Sequence, residues 1–307
     1  MPFVEKEYTF SDSSIYSQLK DHCPLCGGKE IELKYIIDKY NPFFRVDRCR
    51  LCGFIFMNPA FQESIIEDFY SEDYYKCGRD YSYYDERELE RYAGYVWEKR
   101  IEIIRGHAAK GNLLDIGSAF GGFLKLASQY FSPYGIELSE YAGTYAKGLF
   151  GNNIHIGSLY DNPFKEKFFS VITMIELIEH LADPVTAIRE CYRLLKGGGL
   201  LVIQTANMDG LQARVLGDRY AYYMPVHLSY FTKKNLTSLL KWQGFSRIIT
   251  FHPVEFGLLP KLLKSRYYFK SYTDYHKWFR ISFYHYISKI RYRDSSITSS
   301  MVIYAFK

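Results

Sequence analysis

The residues best suited to chemistry surround a glycine-rich turn within residues 113–124. There an apolar stretch ends in Asp115 and is followed by Gly117, Gly121 and a helix-like segment. Glycines let the backbone turn sharply and approach a ligand with no Cβ in the way, and a helix start offers unpaired N–H groups. A second acid, Glu137, ends the next apolar stretch, about where a carboxylate would meet ribose hydroxyls. The pattern predicts a nucleotide-type cofactor site at the end of a parallel strand.

The spacing of the glycines favours one cofactor class. Ala119 holds the middle place of a dinucleotide fingerprint, so the turn suits a ligand without a pyrophosphate. The arrangement resembles the first motif of class I S-adenosylmethionine-dependent methyltransferases, with Glu137 as their second motif. The alternatives are a similar turn in another α/β protein or a nicotinamide enzyme. The resemblance implies cofactor contacts at Asp115, Gly117, Ser118, Gly121, Glu137, Leu138, Ser158, Leu159, Ile175 and Glu176.

A second chemical site is predicted where the fourth strand of the main sheet ends. Glu176, Glu179 and His180 follow one another within five residues, and His227 lies in a distant loop. This E-x-x-E-H spacing resembles ubiquinone-pathway and small-RNA O-methyltransferases, which implies Mg²⁺ at these four residues near the accepting hydroxyl. One competing interpretation needs no metal: His227 or His180, with Glu179, acts as a general base, and Glu176 contacts the cofactor. In the other, both histidines are purely structural.

Four of the six cysteines form two C-x-x-C pairs, each followed by glycine. The pairs are Cys23/Cys26 and Cys49/Cys52, and Ile31–Ile37 between them is apolar enough for a hairpin. Such pairs are typical of a four-sulfur structural zinc site in a zinc ribbon, with a redox-active pair as the alternative. Cys77 and Cys191 stand alone and are expected to be packing residues, and His22 is expected to be a bystander.

A zinc ribbon joined to this fold, with His-Leu-Ser-Tyr-Phe at 227–231, is also similar to methyltransferases that place a C-methyl group on nucleotide-linked deoxysugars. In that resemblance the catalytic base falls on His227. Tyr222, Tyr223 and Tyr230 near this histidine are candidate walls for a sugar or aromatic ring, or else core residues.

The elements that must position these residues alternate between strand and helix. A helix is expected over 86–105, a second opens after Asp183 and ends at the glycines 197–199, and a third opens at Thr232. The pattern predicts an α/β, Rossmann-like seven-stranded methyltransferase sheet at 61–307 after a zinc ribbon at 1–60. Strands are expected at 112–116, 133–137, 153–156, 168–175, 199–205, 245–251 and 300–306.

A helical insert is expected at 257–293, before the last strand. It carries nine Lys or Arg against Asp274 alone, a local charge of +8 in a chain whose net charge is +5, and it is rich in aromatic residues. Such a segment suits peripheral contact with an anionic membrane or an anionic substrate, or else a solvated helical pair. Tyr81, Tyr83 and Tyr84, before the first long helix, are candidates to fold over the cofactor, or else to join the ribbon to the main domain.

Composition limits the remaining classes. The 307 residues contain no apolar run of about eighteen residues, and the first twenty lack the apolar core of a signal peptide, so a cytoplasmic location is expected. The function expected is S-adenosylmethionine-dependent methylation of a small polar acceptor, most simply a sugar nucleotide or glycan precursor. The alternatives are metal-assisted methylation of RNA or a small molecule, and a non-catalytic zinc-ribbon interaction protein. Nucleic acid is not the expected partner because the ribbon is not markedly basic, and the oligomeric state is left open.

Overall fold

The computed structural model describes residues 9–69, 75, 85–251, 256–289, 291–292, 295–296 and 298–307. Tyr81, Tyr83, Tyr84 and Cys77 lie outside the described residues. The described strands are β1 Ile31–Ile37, β2 Phe44–Cys49, β3 Ile55–Met57, β4 Asn112–Ile116, β5 Ser132–Glu137, β6 Ile154–Ile156, β7 Phe169–Ile175, β8 Leu195–Ala206, β9 Ser229–Tyr230, β10 Arg247–Phe251, β11 Arg291–Tyr292, β12 Ser295–Ser296 and β13 Ser300–Phe306.

The described helices flank these strands. They are α1 Glu63–Phe69, α2 Glu86–His107, α3 Gly122–Ala127, α4 Glu140–Phe150, α5 Pro184–Leu194, α6 Leu211–Leu216, α7 Lys233–Trp242, α8 Leu258–Ser265 and α9 His276–Ile287. The predicted N-caps of α5 and α7 are confirmed, because the side chains of Asp183 and Thr232 accept backbone N–H groups of their own first turns.

The main sheet has seven strands in the order β10-β13-β8-β7-β4-β5-β6. Strands β4 to β8 run parallel, and β13 lies antiparallel between β8 and β10. Strands β4 and β7, and β8 from residue 199 onward, are almost continuously buried, as parallel strands covered on both faces must be. The predicted seven-stranded α/β fold is confirmed, and β4, β5 and β7 end at one edge of the sheet.

One expected boundary was wrong. The glycines 197–199 were expected to end α5, whereas α5 ends at Leu194 and the glycines lie inside β8. The long β8 absorbs them where its pairing with β7 is irregular, between Phe169 and Val171. Gly198 adopts a φ of +74° there, which glycine tolerates at little cost.

The cysteine-bearing segment folds as an antiparallel sheet, in the order β1-β2-β3-β9. Its fourth strand comes from a distant part of the chain, after β8, because Ile55 and Phe56 pair with Tyr230 and Ser229. Some of its apolar residues, among them Phe56, pack in the same core as the main sheet, and the Phe54 and Phe231 rings lie 5.1 Å apart. The others pack in a second cluster with the loop after α6. The division at residue 60 stays a prediction.

Candidate active site at the edge of the main sheet

Asp115 lies at the carboxyl end of β4, where the glycine-rich turn begins. Its side chain is buried, and the hydroxyl of Thr173 on the neighbouring β7 donates to Asp115 Oδ1 at 2.6 Å. Burial raises the pKa of Asp115 to about 7, a rise that the hydrogen bond from Thr173 and the Arg100 charge only partly oppose. The carboxyl group is therefore close to half ionised at neutral pH.

Two further buried carboxyl groups face the same turn. Glu137 at the end of β5 accepts the backbone N–H groups of Ala119 and Ser139, each at 2.8 Å. Glu86, in the first turn of α2, accepts the N–H of Gly122 at 2.9 Å. Burial raises the pKa of Glu137 and raises that of Glu86 to about 8, with smaller contributions to Glu86 from the charges of Asp115 and Glu137. Such a cluster favours a ligand that brings positive charge or hydroxyl donors.

The turn itself requires glycine at two points. Gly117 and Gly121 have φ values of +77° and +81°, and a Cβ on Gly121 would lie 2.9 Å from Phe150. Ser118 Oγ between them is buried, and no residue in the described ranges offers it a hydrogen bond. A turn of left-handed backbone with an unpartnered buried hydroxyl and neighbouring acids fits a polar nucleoside ligand.

The other predicted cofactor residues line the same edge in different environments. Leu138 follows Glu137 and is 54% exposed. Ser158 accepts the N–H of Tyr160 at 3.1 Å, and the next residue, Leu159, is buried in the main core. Ile175 is half-buried at the end of β7. Their role as cofactor contacts stays a prediction.

Glu176 follows β7 in a left-handed backbone conformation, with a φ of +53°. Non-glycine residues adopt this region at an energetic cost, and such residues often occur at functional sites. The exposed carboxylate accepts Gln204 Nε2 at 2.8 Å, and Gln204 Oε1 in turn accepts the guanidinium of Arg100. Glu176 is thereby held at the sheet edge by a polar chain from β8 and α2.

Glu179, His180 and His227 form a second cluster at this edge. One nitrogen or oxygen of each lies within 4.8 Å of those of the other two, and the two imidazole rings are perpendicular with centroids 4.8 Å apart. Glu179 accepts the hydroxyl of Thr205 at 2.8 Å, and its backbone carbonyl accepts the N–H of Leu228. Of the four residues expected to share Mg²⁺, these three converge, whereas Glu176 is not part of the group.

Burial inverts the usual order of the pKa values in this cluster. It lowers the pKa of His227 to about 4 and that of His180 well below its ordinary value, and it raises the pKa of Glu179 to about 8. His227 Nδ1 lies 2.7 Å from the carbonyl oxygen of Tyr222, which can only accept. Nδ1 must therefore carry the proton, which leaves Nε2 with a lone pair.

The three tyrosines expected near His227 divide between two environments. The Tyr222 ring is stacked on His227 with centroids 6.0 Å apart. Tyr223 and Tyr230 are buried among the aromatic residues that join the small sheet to the loop after α6. Tyr223 and Tyr230 are thus core residues, and Tyr222 is the tyrosine of the three that stacks on His227.

The four paired cysteines converge as expected. The Sγ atoms of Cys23 and Cys52 are 3.7 Å apart, as are those of Cys26 and Cys49, and all four lie within 4.8 Å of one another. Each second cysteine is followed by a glycine of left-handed conformation that turns its backbone N–H back to the first cysteine's carbonyl. Cys191 is buried in the main core, as expected of a packing residue.

Several residues of the site were not found by sequence reasoning. In the sequence, Glu86 resembles any acidic residue at the start of a helix. The hydroxyl of Tyr75 is 3.5 Å from Glu137 Oε1, but Tyr75 is far from Glu137 in the sequence. Gln204 and Thr205 carried a usable signal, because they are two polar residues that directly follow the apolar run 200–203 near the carboxyl end of β8. Polar residues at the carboxyl end of a buried parallel strand predict a site at that edge.

Comparison with known proteins agrees with this geometry. A family model described as a methyltransferase domain matches residues 82–248, more than half of the chain. The chain therefore belongs to this methyltransferase family, and it is an S-adenosylmethionine-dependent methyltransferase.

Individual relatives are more distant. The chain is 26% identical over 184 residues to an uncharacterized protein of Methanocaldococcus jannaschii, covering 59% of this chain and 81% of that protein. It is 32% identical over 116 residues to the ubiquinone biosynthesis O-methyltransferase of Nitrosomonas europaea, covering 35% of this chain and 48% of that enzyme. The chain thus spans about half the length of this enzyme. A solved S-adenosylmethionine-dependent methyltransferase of Archaeoglobus fulgidus is 20% identical, with a TM-score of 0.49 over 69% of this chain and 93% of that chain.

Proposed function

We propose that this methyltransferase methylates a small hydroxylated acceptor, most simply a sugar nucleotide or glycan precursor. The observation that carries the proposal is the juxtaposition of two clusters at one sheet edge. Asp115 and Glu137 end β4 and β5 beside the glycine turn, while Glu179 and His227 lie beyond the adjoining β7 and β8. A donor site and a proton-accepting site side by side are what methyl transfer to a hydroxyl-bearing molecule requires.

The donor half is assigned to the glycine turn. S-adenosylmethionine supplies a methyl group already activated by its sulfonium charge. Glu137 would accept the ribose hydroxyls, Gly117 and Gly121 would leave room for the backbone to approach, and ionised Asp115 would favour the positive charge nearby. Tyr75, which packs edge-on against Phe120 above Glu137, would cover this half and exclude water.

The acceptor half is assigned to His227, with Glu179 and His180 beside it. The lone pair on Nε2 that follows from the Tyr222 contact suits proton removal from an acceptor hydroxyl or carbon. Above the Glu179 pKa of about 8, where this carboxyl group is ionised, it would stabilise the imidazole once that ring becomes charged. Tyr222, stacked on His227, would form one wall for a sugar ring.

A second candidate is metal-assisted O-methylation. It is favoured by the convergence of Glu179, His180 and His227 within 4.8 Å. A divalent cation such as Mg²⁺ there would lower the pKa of an acceptor hydroxyl, and the two imidazoles would act as ligands instead of bases. The two candidates differ in whether a chelator abolishes turnover.

We further propose a structural zinc ion at Cys23, Cys26, Cys49 and Cys52. A tetrahedral zinc site with Zn–S bonds of about 2.3 Å has sulfurs about 3.8 Å apart. The two 3.7 Å sulfur pairs are consistent with that spacing. The metal would fix β3 and, through β9, the loop that carries His227.

The experiment that tests the proposal is turnover with a panel of nucleotide sugars, comparing wild type with His227→Ala. Removal of a general base lowers turnover by about 10²- to 10⁴-fold, while the affinity for S-adenosylmethionine should change little. His22→Ala is the matched control, because His22 is an exposed histidine that contacts Asp21. Full activity of His227→Ala would remove this residue from the mechanism. Loss of wild-type activity in a chelator, restored by Mg²⁺ alone, would favour the metal-assisted candidate.

A further inference from the structure

Three large aromatic residues are exposed along one face of α9. Phe279, Phe283 and Tyr286 are 76%, 60% and 61% exposed. Their spacing of four and three residues places them on a single face of a helix, and we call them the aromatic stripe. The rings of Phe279 and Phe283 stack on each other, with centroids 6.4 Å apart. A contiguous exposed apolar surface of this kind marks an interaction site.

The direction of the stripe is fixed by packing on the other side of the helix. Trp278 donates its indole N–H to Ser265 Oγ of α8 at 3.1 Å, and His285 is buried near Lys261. Helix α8 in turn packs along α2, the helix whose first turn contributes Glu86 to the candidate active site. The stripe therefore points outward because the opposite face of α9 is anchored to the fold.

Positive charge surrounds the stripe. At about 100° per residue, Arg280 and Lys289 fall on its two sides, and both are exposed. Lys289 also lies over the Tyr286 ring at 5.3 Å. The single acid of the segment, Asp274, is paired with Lys277 at 2.7 Å. The face is thus apolar along its middle and cationic along its edges.

We propose that the aromatic stripe, with Arg280 and Lys289, docks this methyltransferase on the surface of an anionic lipid bilayer. Exposed aromatic rings flanked by cations match a headgroup layer that is anionic outside and apolar beneath. A second copy of this chain is disfavoured because each insert carries a charge of +8 and would repel the other. RNA is disfavoured because the phenylalanines project from a convex helix instead of lining a basic groove. Within the described residues, no helix combines the length and hydropathy of a membrane span.

Helix α9 is also connected to the loop that carries His227. The hydroxyl of Tyr284 on α9 accepts the N–H of Ser299 at 3.2 Å, and the carbonyl of Ser299 accepts the hydroxyl of Tyr220 at 3.2 Å. Tyr220 begins the loop that leads to His227. The proposal does not depend on the identity of the acceptor, and its test measures binding instead of turnover.

The test is flotation of the full-length protein with two kinds of vesicle. One kind contains phosphatidylcholine alone, and in the other about a third of the lipid is phosphatidylglycerol. Wild type should float with the anionic vesicles and stay behind with the neutral ones, and its binding should weaken as salt is raised because the charges are screened. Equal binding to both vesicles, or to neither, would overturn the proposal.

Two variants localise the contact. Phe279→Ser combined with Phe283→Ser should weaken anionic-vesicle binding at least about tenfold, because two apolar side chains no longer enter the lipid. Arg280→Glu combined with Lys289→Glu should do the same without touching the aromatic rings. The matched control is Val215→Ser combined with Trp242→Ser, which removes apolar residues that are 72% and 61% exposed elsewhere.

The competing occupants give different results. If the double serine variant binds vesicles as wild type does, the stripe is not the contact. If the wild type is dimeric without lipid and the variant monomeric, a second copy covers the face and the membrane proposal fails. Tight, salt-sensitive retention of RNA that blocks vesicle binding would overturn it in favour of nucleic acid. Unchanged cofactor affinity in each variant verifies that the fold is intact.

Discussion

The affinity for S-adenosylmethionine should weaken as the pH falls from about 8 to about 6, because Asp115 must be ionised to favour the sulfonium charge. Burial places the pKa of this carboxyl group at about 7 in the cofactor-free protein, and Glu86 and Glu137 share the buried environment. A bound cation lowers that pKa. Cofactor binding should therefore release a proton at neutral pH.

The magnitude follows from the pKa. A group with a pKa of about 7 is about nine-tenths ionised at pH 8 and about one-tenth ionised at pH 6. The dissociation constant should rise about tenfold over this interval, which corresponds to about 1.4 kcal/mol. Any titration of Glu86, whose pKa is about 8, adds to this change. S-adenosylhomocysteine lacks the sulfonium charge, so its affinity should vary less with pH.

The assay is isothermal titration calorimetry in buffers of different ionisation enthalpy, which reports both affinity and proton release. In Asp115→Asn, the change of about tenfold in the dissociation constant between pH 8 and pH 6 should be lost. The amide does not ionise, yet it can still accept the Thr173 hydroxyl. Asp218→Asn, at an exposed acid of a surface turn, is the matched control. The reasoning is refuted if the affinity of the wild type does not depend on pH, if Asp115→Asn retains the full dependence, or if the product shows the same dependence as the cofactor.

Three further results are expected. The cofactor-free protein should lose stability as the pH rises from about 4 to about 7, because the raised pKa of Asp115 means that the folded state holds a proton which the unfolded state has already released. The melting temperatures of wild type and Asp115→Asn should diverge over that interval and differ by a constant amount above it. Gly121→Ala should destabilise the fold by about 1–3 kcal/mol in thermal melting, because the φ of Gly121 is +81° and the new Cβ would lie 2.9 Å from Phe150. The control is Gly148→Ala in a helix, where no surrounding atom lies within 4 Å of the new Cβ, and it should not lower the melting temperature. The Cys52→Ser variant should lose its bound zinc, as measured by atomic absorption. It should also slow turnover more than it weakens cofactor binding, because the Cys52 carbonyl accepts Asn235 Nδ2 at 2.8 Å beside the His227 loop. Retained zinc together with full activity would contradict this expectation.

The main fold could be predicted from the sequence because its signals are local. Strands β4 and β13 occupy the residues expected, since strands in the interior of the sheet are largely apolar runs. The glycines 197–199 misled the prediction because glycine is a weak marker when a long strand can absorb it through irregular pairing. The short strand β9 carries no periodic signal, so its pairing with β3 could not be foreseen.

The candidate site could be predicted only in part. Motif residues such as Asp115 and Glu137 can be recognised in the sequence because they end apolar strand-like stretches. Glu86 and Tyr75 reach the site from other elements through tertiary packing, which a single sequence does not encode locally. The expected grouping of four Mg²⁺ ligands assumed that all four side chains turn to one point, whereas the left-handed backbone of Glu176 directs its carboxylate to Gln204.

The measurement that tests the central assignment most directly is a crystal structure with S-adenosylhomocysteine bound. The assignment predicts density for the ligand against the Gly117–Gly121 turn, with its ribose hydroxyls on Glu137 and its sulfur towards His227. Ligand bound elsewhere, with Glu137 still held by Ala119, Ser139 and Tyr75 as in the cofactor-free protein, would contradict it.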